Sequence, residues 1–371
     1  MSVQKEMYFH KMKIALDELM EKDIDTLDIG ERKLLDFYRT FMDENRLLEV
    51  GLGPLMQIIE LCENIPDDMT DTIVQLHSDF GINALFAVCS IIENRSSNKT
   101  AGAVFIDTQW GYATFTARQQ KIVCGATKLL EDEILGSYSV YIDLKKTMSD
   151  TRYTQYINRI FSLLATKGVR RYEDSAHREK IVSEVIKLKD LLARDGTDYT
   201  SPSHVFELAD FDKLTNLMDP RNLPLTWKQY LTRGPSRNTS RKLDWRKYFE
   251  LLGRTEESMG KIQVPNLDSL KNLAEVVNSP YLSDYLILQV IESFSADLPD
   301  SFVNVFYSHF GRTKNQPRWK RVIQATEEYF GDAMGKLYVD KYVKPGMIQH
   351  VQSVVGSITE QMARRLDEVD W

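Results

Sequence analysis

The side chains best suited to chemistry in this sequence are six histidines, His10, His77, His177, His204, His309 and His350. Zinc sites on helices draw on imidazoles three to five residues apart, so that both project from one face. No two of these histidines have that spacing, and HExxH does not occur. In His177-Arg178-Glu179 the carboxylate follows the imidazole by two positions, which turns it to another side of a helix. The spacing therefore favours scattered surface or hydrogen-bonded histidines over a metal site made by this chain alone. Glu63 and Asp67 have ExxxD spacing, but Pro66 lies between them and points to a loop. GxxxxGK[ST], GxGxxG and GxSxG are all absent. A Ser-His-Asp triad draws its members from distant parts of a chain, and nothing here favours one. No catalytic and no metal-ligating residue is assigned. Cys62, Cys89 and Cys124 form an odd, sparse set with no CxxC pair, and read as buried free thiols.

Charge narrows the partners. The balance of 47 basic and 54 acidic residues leaves −7 at pH 7, which excludes a general binder of nucleic acid or anionic membrane. The stretch 233–247 gathers Arg233, Arg237, Arg241, Lys242, Arg246 and Lys247 around Trp245. Basic residues with an aromatic can mark a nucleic-acid surface. In an acidic chain the favoured reading is a solvated loop feeding a helix that buries Trp245 and Phe249. Asn94, Asn98 and Asn238 begin Asn-x-Ser/Thr acceptor patterns, relevant only if the chain enters a secretory route.

The elements that would position these groups follow from apolar spacing. A chain of 371 residues exceeds the size at which one core keeps growing, so two lobes or a helical array are expected. Apolar positions predict helices over 8–21, 31–46, 151–166, 178–193, 266–278 behind Pro265, 319–341 and 347–368. Tyr281 to Phe294 is apolar on most sides and predicts a buried helix. Val351, Val354, Val355, Ile358 and Met362 carry the stripe of the last helix. Leu85 to Ile92 and Ala103 to Ile106 break the helical period around ten turn-forming residues, and predict a β-hairpin at about 84–107. Tyr112 to Thr116 is a candidate third strand. Gly, Pro and Ser make 232–247 an expected exposed connector. The fold class is mainly α: a multi-helix lobe with one small β-hairpin. No run reaches the ~18 apolar residues of a membrane helix. Met1 to Glu6 lacks the basic-then-apolar layout of a signal peptide.

These segments also resemble a known family. Glu31 to Asp43 is similar to the "lY-x-x-C-M-D/N" helix of neprilysin-like zinc metallopeptidases, the group with endothelin-converting enzyme, and Gly51-Leu52-Gly53-Pro54-Leu55 to its following "G-x-x-P-L". Val104 to Gln109 resembles the "h-x-I-D-Q" strand, and Tyr153-Thr154-Gln155-Tyr156-Ile157 the "Y-x-x-Y-i" helix. Met334 to Val343 is similar to "l-G-k-l-Y-V-d-x-y-F". The motifs are collinear over nearly the whole chain, and what they match is the N-terminal, largely helical cap region.

The resemblance implies a cap that roofs the cavity of a peptidase acting on short peptides. It places zinc, HExxH and the downstream glutamate ligand in a C-terminal catalytic domain expected beyond Trp371, so this chain alone is expected to bind no cofactor and to be inactive. The alternative is a diverged, non-catalytic member that binds a peptide or a protein partner. Lys13 falls where the family uses an arginine for the substrate's terminal carboxylate, although lysine as a type favours a solvent-facing position. Phe41 and Val322 stand where the family has two cysteines partnered in one disulfide. A native disulfide contributes ~2–4 kcal/mol, and burying two such side chains ~1.5–3 kcal/mol each, so packing can replace it. The family implies a membrane-anchored or secreted ectodomain. The missing signal and missing disulfide pair point instead to the cytosol or to a partial gene product.

Overall fold

The structure, a computed structural model, describes residues 3–92, 102–107, 150–193, 204–206, 241–254, 262–264, 267–294, 298–310 and 317–367. The helices before the first strand are α1 (Val3–Glu21), α2 (Ile29–Met42), α3 (Glu44–Val50), α4 (Gly53–Glu63) and α5 (Thr70–Ser78). The strands β1 (Ala87–Ile92) and β2 (Gly102–Asp107) precede α6 (Asp150–Thr166), α7 (Ser175–Ala193), β3 (His204–Phe206), α8 (Trp245–Leu251) and β4 (Ile262–Val264). The chain ends with α9 (Leu267–Val277), α10 (Leu282–Ser293), α11 (Asp300–Phe310), α12 (Arg318–Tyr342) and α13 (Pro345–Asp367). The molecule is mainly α, and it divides into two compact units: Met1–Gly51 with Asn315–Trp371, and Leu52–Lys314.

In the first unit α12 packs on α1 and α2. Phe9, Met12, Leu16 and Leu19 recur along one face of α1 and meet Leu34, Leu35 and Tyr38 of α2 and Val322, Ile323 and Met334 of α12. Asp28 starts α2 through a capping box: its Oδ1 accepts from Glu31 N–H at 2.8 Å, while Glu31 Oε2 accepts from Asp28 N–H at 3.0 Å. The spacing predicts one helix over 31–46, but the chain breaks at Asp43. That residue leaves helical geometry (φ −77°, ψ 89°), and its carboxylate caps α3 by accepting from Arg46 N–H. A second departure lies inside α12, where Phe330 (φ −128°, ψ 34°) kinks the helix just before Gly331.

The second unit gathers α4 to α11 around a larger core. Every residue from Leu282 to Glu292 of α10 is buried, including Asp284, Gln289 and Glu292. Two basic groups answer those carboxylates. Arg171 Nη2 and Tyr172 Oη–H donate to Asp284 at 2.8 and 2.9 Å, yet burial still raises the Asp284 carboxyl above its ordinary range. Lys189 Nζ donates to Glu292 at 2.6 Å and to Tyr153 Oη at 2.5 Å, and Tyr153 Oη–H donates to Glu292 at 2.8 Å. Trp245, Tyr248 and Phe249 of α8 are buried.

The strands form one sheet in the order β1-β2-β4-β3. Ala87 pairs with Asp107 and Ile92 with Gly102 in an antiparallel register. β4 runs parallel to β2 and antiparallel to β3. Pairing starts at Ala87, later than the predicted 84, because Leu85 adopts φ 72° in a turn closed by Phe86 N–H to Ala84 O at 2.9 Å. β3 and β4 are too short, at three residues each, to leave an alternating pattern. The candidate strand Tyr112 to Thr116 and Pro265 lie outside the described residues. Of the expected connector, 232–240 also lie outside them. Its described end is pinned rather than free: Lys242 N–H donates to Asp67 O at 2.8 Å, and Arg241 Nη1 to Ser279 O at 3.1 Å.

His77 shows how this unit satisfies a histidine. Tyr248 Oη–H donates to Nδ1 at 2.7 Å, and Nε2–H donates to Ala84 O at 3.1 Å, which fixes the neutral tautomer. Phe86 packs edge-on against the ring. Desolvation pushes the imidazole down to about 4.

Two predictions follow from these groups. Lys189→Met leaves Glu292 buried without its cation and should cost about 3–5 kcal/mol. The double variant Lys189→Met/Glu292→Gln should recover a large part, read as urea midpoints at unchanged m-value. For His77, the unfolded ring (pKa ~6.5) binds protons that the folded ring refuses. Its contribution is complete above pH 6.5 and is lost as pH falls toward about 4. Its size is at most ~3 kcal/mol. His77→Gln should flatten that part of the stability profile; parallel wild-type and variant profiles from pH 6.5 to 4.5 would contradict this.

Candidate functional site

Among the described residues no group of three His, Cys, Asp or Glu side chains could hold a metal ion. His10 is exposed beside Glu6, His177 and His350 are exposed, and His77 is consumed by its two hydrogen bonds. Cys62 is buried, and its thiol is pushed up to about 12, chiefly by burial, which keeps it an unreactive thiol.

Lys13 lies on α1, half-buried, with Nζ donating to Asp17 Oδ2 at 2.7 Å one turn along. Its charge is thus shared with a carboxylate of its own helix. Val322 is buried in the core of the first unit, and Phe41 packs against the same cluster. The Arg318 guanidinium donates twice to Phe41 O, at 2.9 and 2.7 Å, and Val322 follows Arg318 by one helical turn. Phe41 and Val322 are thereby held at one α2–α12 seam. Asn94, Asn98 and Asn238 lie outside the described residues.

Among the described residues α13 carries a long run of exposed large apolar side chains. Met347, Val351, Val355, Ile358, Met362 and Leu366 run along it at steps of four, four, three, four and four, each between 48% and 59% exposed, with Ile348 and Val354 beside them. Apolar periodicity reveals that a helix has such a face but not whether the chain covers it. Among the described residues nothing does. A run of this kind marks an interaction surface.

A second feature escaped the sequence because three helices build it. Gln155, Asn158, Arg159 and Ser162 share one face of α6, Arg178 comes from α7 and His309 from α11, and together they line a cavity of about 360 Å³. Arg178 donates to Asn158 Oδ1 and Tyr172 O, both at 2.7 Å. His309 Nδ1–H donates to Val305 O at 2.9 Å. No local sequence signal joins residues 155, 178 and 309.

Comparison with known proteins agrees along the full length. Residues 2–371 match Peptidase family M13. Endothelin-converting enzyme-like 1 of Homo sapiens is 21% identical over 361 residues, covering 92% of this chain and 41% of that protein. Endothelin-converting enzyme 1 of Bos taurus is 20% identical over 382 residues, covering 96% of this chain and 43% of that protein. Among solved structures, the zinc metalloprotease Zmp1 of Mycobacterium tuberculosis in its open state aligns with a TM-score of 0.62 at 17% identity, covering 99% of this chain and 51% of that one. PepO from Lactobacillus rhamnosis aligns with a TM-score of 0.54 at 12% identity, with the same coverage. At such identities the two structures share a fold with this chain. The chain spans about two fifths of the length of these curated relatives and about half of the solved chains. With the match running unbroken through both structural units, this chain belongs to peptidase family M13, of which it carries the N-terminal region.

Proposed function

We propose that the chain is the helical cap region of a neprilysin-like zinc metallo-endopeptidase, and that it does not hydrolyse peptides by itself. The observation that carries this reading is the exposed apolar face of α13 in a chain spanning only part of its relatives' length. A cap whose partner lobe supplies the zinc chemistry needs an apolar seat for that lobe, and α13 offers one. Fully burying each such side chain contributes ~1.5–3 kcal/mol, so a seat of this length can hold two lobes together. Short peptides are the substrates this reading assigns to the completed enzyme. An exported or membrane-anchored location belongs to the same reading; among the described residues no helix is long and apolar enough to cross a membrane.

A second reading, a non-catalytic binding module, is favoured by the first unit. Phe41 and Val322 fill their seam by packing, so that unit closes without a cross-link there.

Two measurements test the first reading. The purified chain, given zinc and a small peptide, should cleave no faster than a mock preparation; zinc-stimulated cleavage absent from the mock overturns it. The isolated chain should also self-associate with rising concentration through α13. Val351→Glu/Ile358→Glu should abolish that association in light scattering while changing stability little, because both positions are more than half exposed. A wild-type chain that stays monomeric and fully folded at high concentration favours the binding module.

A further inference from the structure

The cavity lined by α6, α7 and α11 has a charge pattern that the peptidase reading does not use. Two guanidinium groups, Arg159 and Arg178, border it, and none of its six lining residues is acidic. Among the described residues Arg178 donates only to the neutral acceptors Asn158 Oδ1 and Tyr172 O. These two contacts hold its fork in place and leave its charge unmatched by a carboxylate. Arg159 is exposed and makes no ion pair among the described residues. This occurs in a chain with 54 acidic and 47 basic residues, where surface arginines have carboxylates to spare.

We propose that this cavity is a binding site for a small dianionic oxyanion, a phosphate group being the simplest. Guanidinium is the side chain whose planar donor fork fits phosphate and carboxylate oxygens two at a time. Two such groups match a dianion, whereas a monocarboxylate leaves one cation uncompensated. Ser162 and Gln155 add neutral donors on the same face of α6. His309 serves as a wall: its Nδ1–H is committed to Val305 O. A volume of about 360 Å³ leaves room beyond the anion for a small organic body. The site does not depend on zinc or on a catalytic lobe.

The test is calorimetric titration of the whole chain with inorganic phosphate, with succinate and acetate as parallel arms. Phosphate should bind, succinate should compete with it, and acetate should bind about tenfold more weakly or worse, the loss expected for one charge-assisted pair. Arg159→Gln, at an exposed position, should weaken phosphate about tenfold or more while circular dichroism and the unfolding midpoint stay unchanged. Arg178→Lys keeps the charge but loses the fork, and should also weaken binding. Lys336→Gln, in the other unit, should leave it unaltered. Absence of phosphate binding at millimolar concentration, equal affinity in wild type and Arg159→Gln, or acetate binding as tightly as phosphate would each overturn the proposal.

Discussion

The return of α12 onto α1 and α2 is the contact on which the first unit depends. Its residues come from 1–51 and 315–371, so its core does not exist until two segments far apart in the chain have met. Closing so long a loop costs chain entropy, although that cost grows only slowly with length. The return comes from apolar packing centred on Leu16, Leu35, Tyr38 and Ile323, all buried. Polar contacts fix its register. Arg318 clamps Phe41 O, Tyr342 Oη–H donates to Lys11 O at 2.9 Å, and Lys320 pairs with Glu6. The exposed pair Lys336–Glu31 adds little, because solvent screens it. Packing provides the stability here, and the two carbonyl clamps determine which turns of α12 face α2, through Phe41 O, and α1, through Lys11 O.

The second unit solves a different problem. Its central helix, α10, is buried over its full described core yet carries Asp284 and Glu292, two turns apart. Neither charge is favourable by itself in such a place. Each is tolerated because a basic group and a tyrosine hydroxyl converge on it: Arg171 with Tyr172, and Lys189 with Tyr153. A shift of α10 by one turn would strand both carboxylates at once. Hydrophobic surface alone would tolerate that slip far better, so the ionic pairs add specificity of register more than net stability.

Much of this was legible in the sequence wherever one period governed a segment. The stripe Met12, Leu16, Leu19 announced α1, and the all-round apolar run from Tyr281 announced a buried helix. The unread parts were decided by single residues or by distant ones. Asp43 is an ordinary aspartate until its carboxylate caps α3, and then a predicted single helix becomes two. Phe330 stands before Gly331, and α12 kinks there, but one glycine inside a periodic stretch does not by itself announce a bend. Leu85 sits in a left-handed turn that a β-branched or bulky residue ordinarily avoids, and nothing local announces it. Lys13 shows the limit for functional residues. Its pairing with Asp17, four residues on in the helix predicted over 8–21, follows from spacing alone, whereas the substrate role came only from the resemblance. The arginine-lined cavity was out of reach for a stronger reason, since its three helices share no sequence pattern.

The spacing along α13 constrains what can cover it. Residues 347 and 358, 351 and 362, and 355 and 366 each lie eleven apart. Eleven residues over three turns is ~3.67 per turn, close to the ~3.6 of a straight helix. The apolar ridge therefore stays on one side of α13 over its whole length with little winding. Ile348, Val351, Val355, Ile358 and Met362 also keep a three-four spacing on this face, so a second helix finds a seven-residue seam there as well. Steps that keep to one side suit a straight helix lying on a broad apolar surface, where a ridge of side chains settles into the groove of another lobe. The stripe thus offers a folded body a straight apolar ridge, and in the isolated chain the same ridge is open to a second copy. The opposite side carries Ser353, Ser357, Glu360 and Arg364, so the apolar ridge is the side of α13 that gains by being covered.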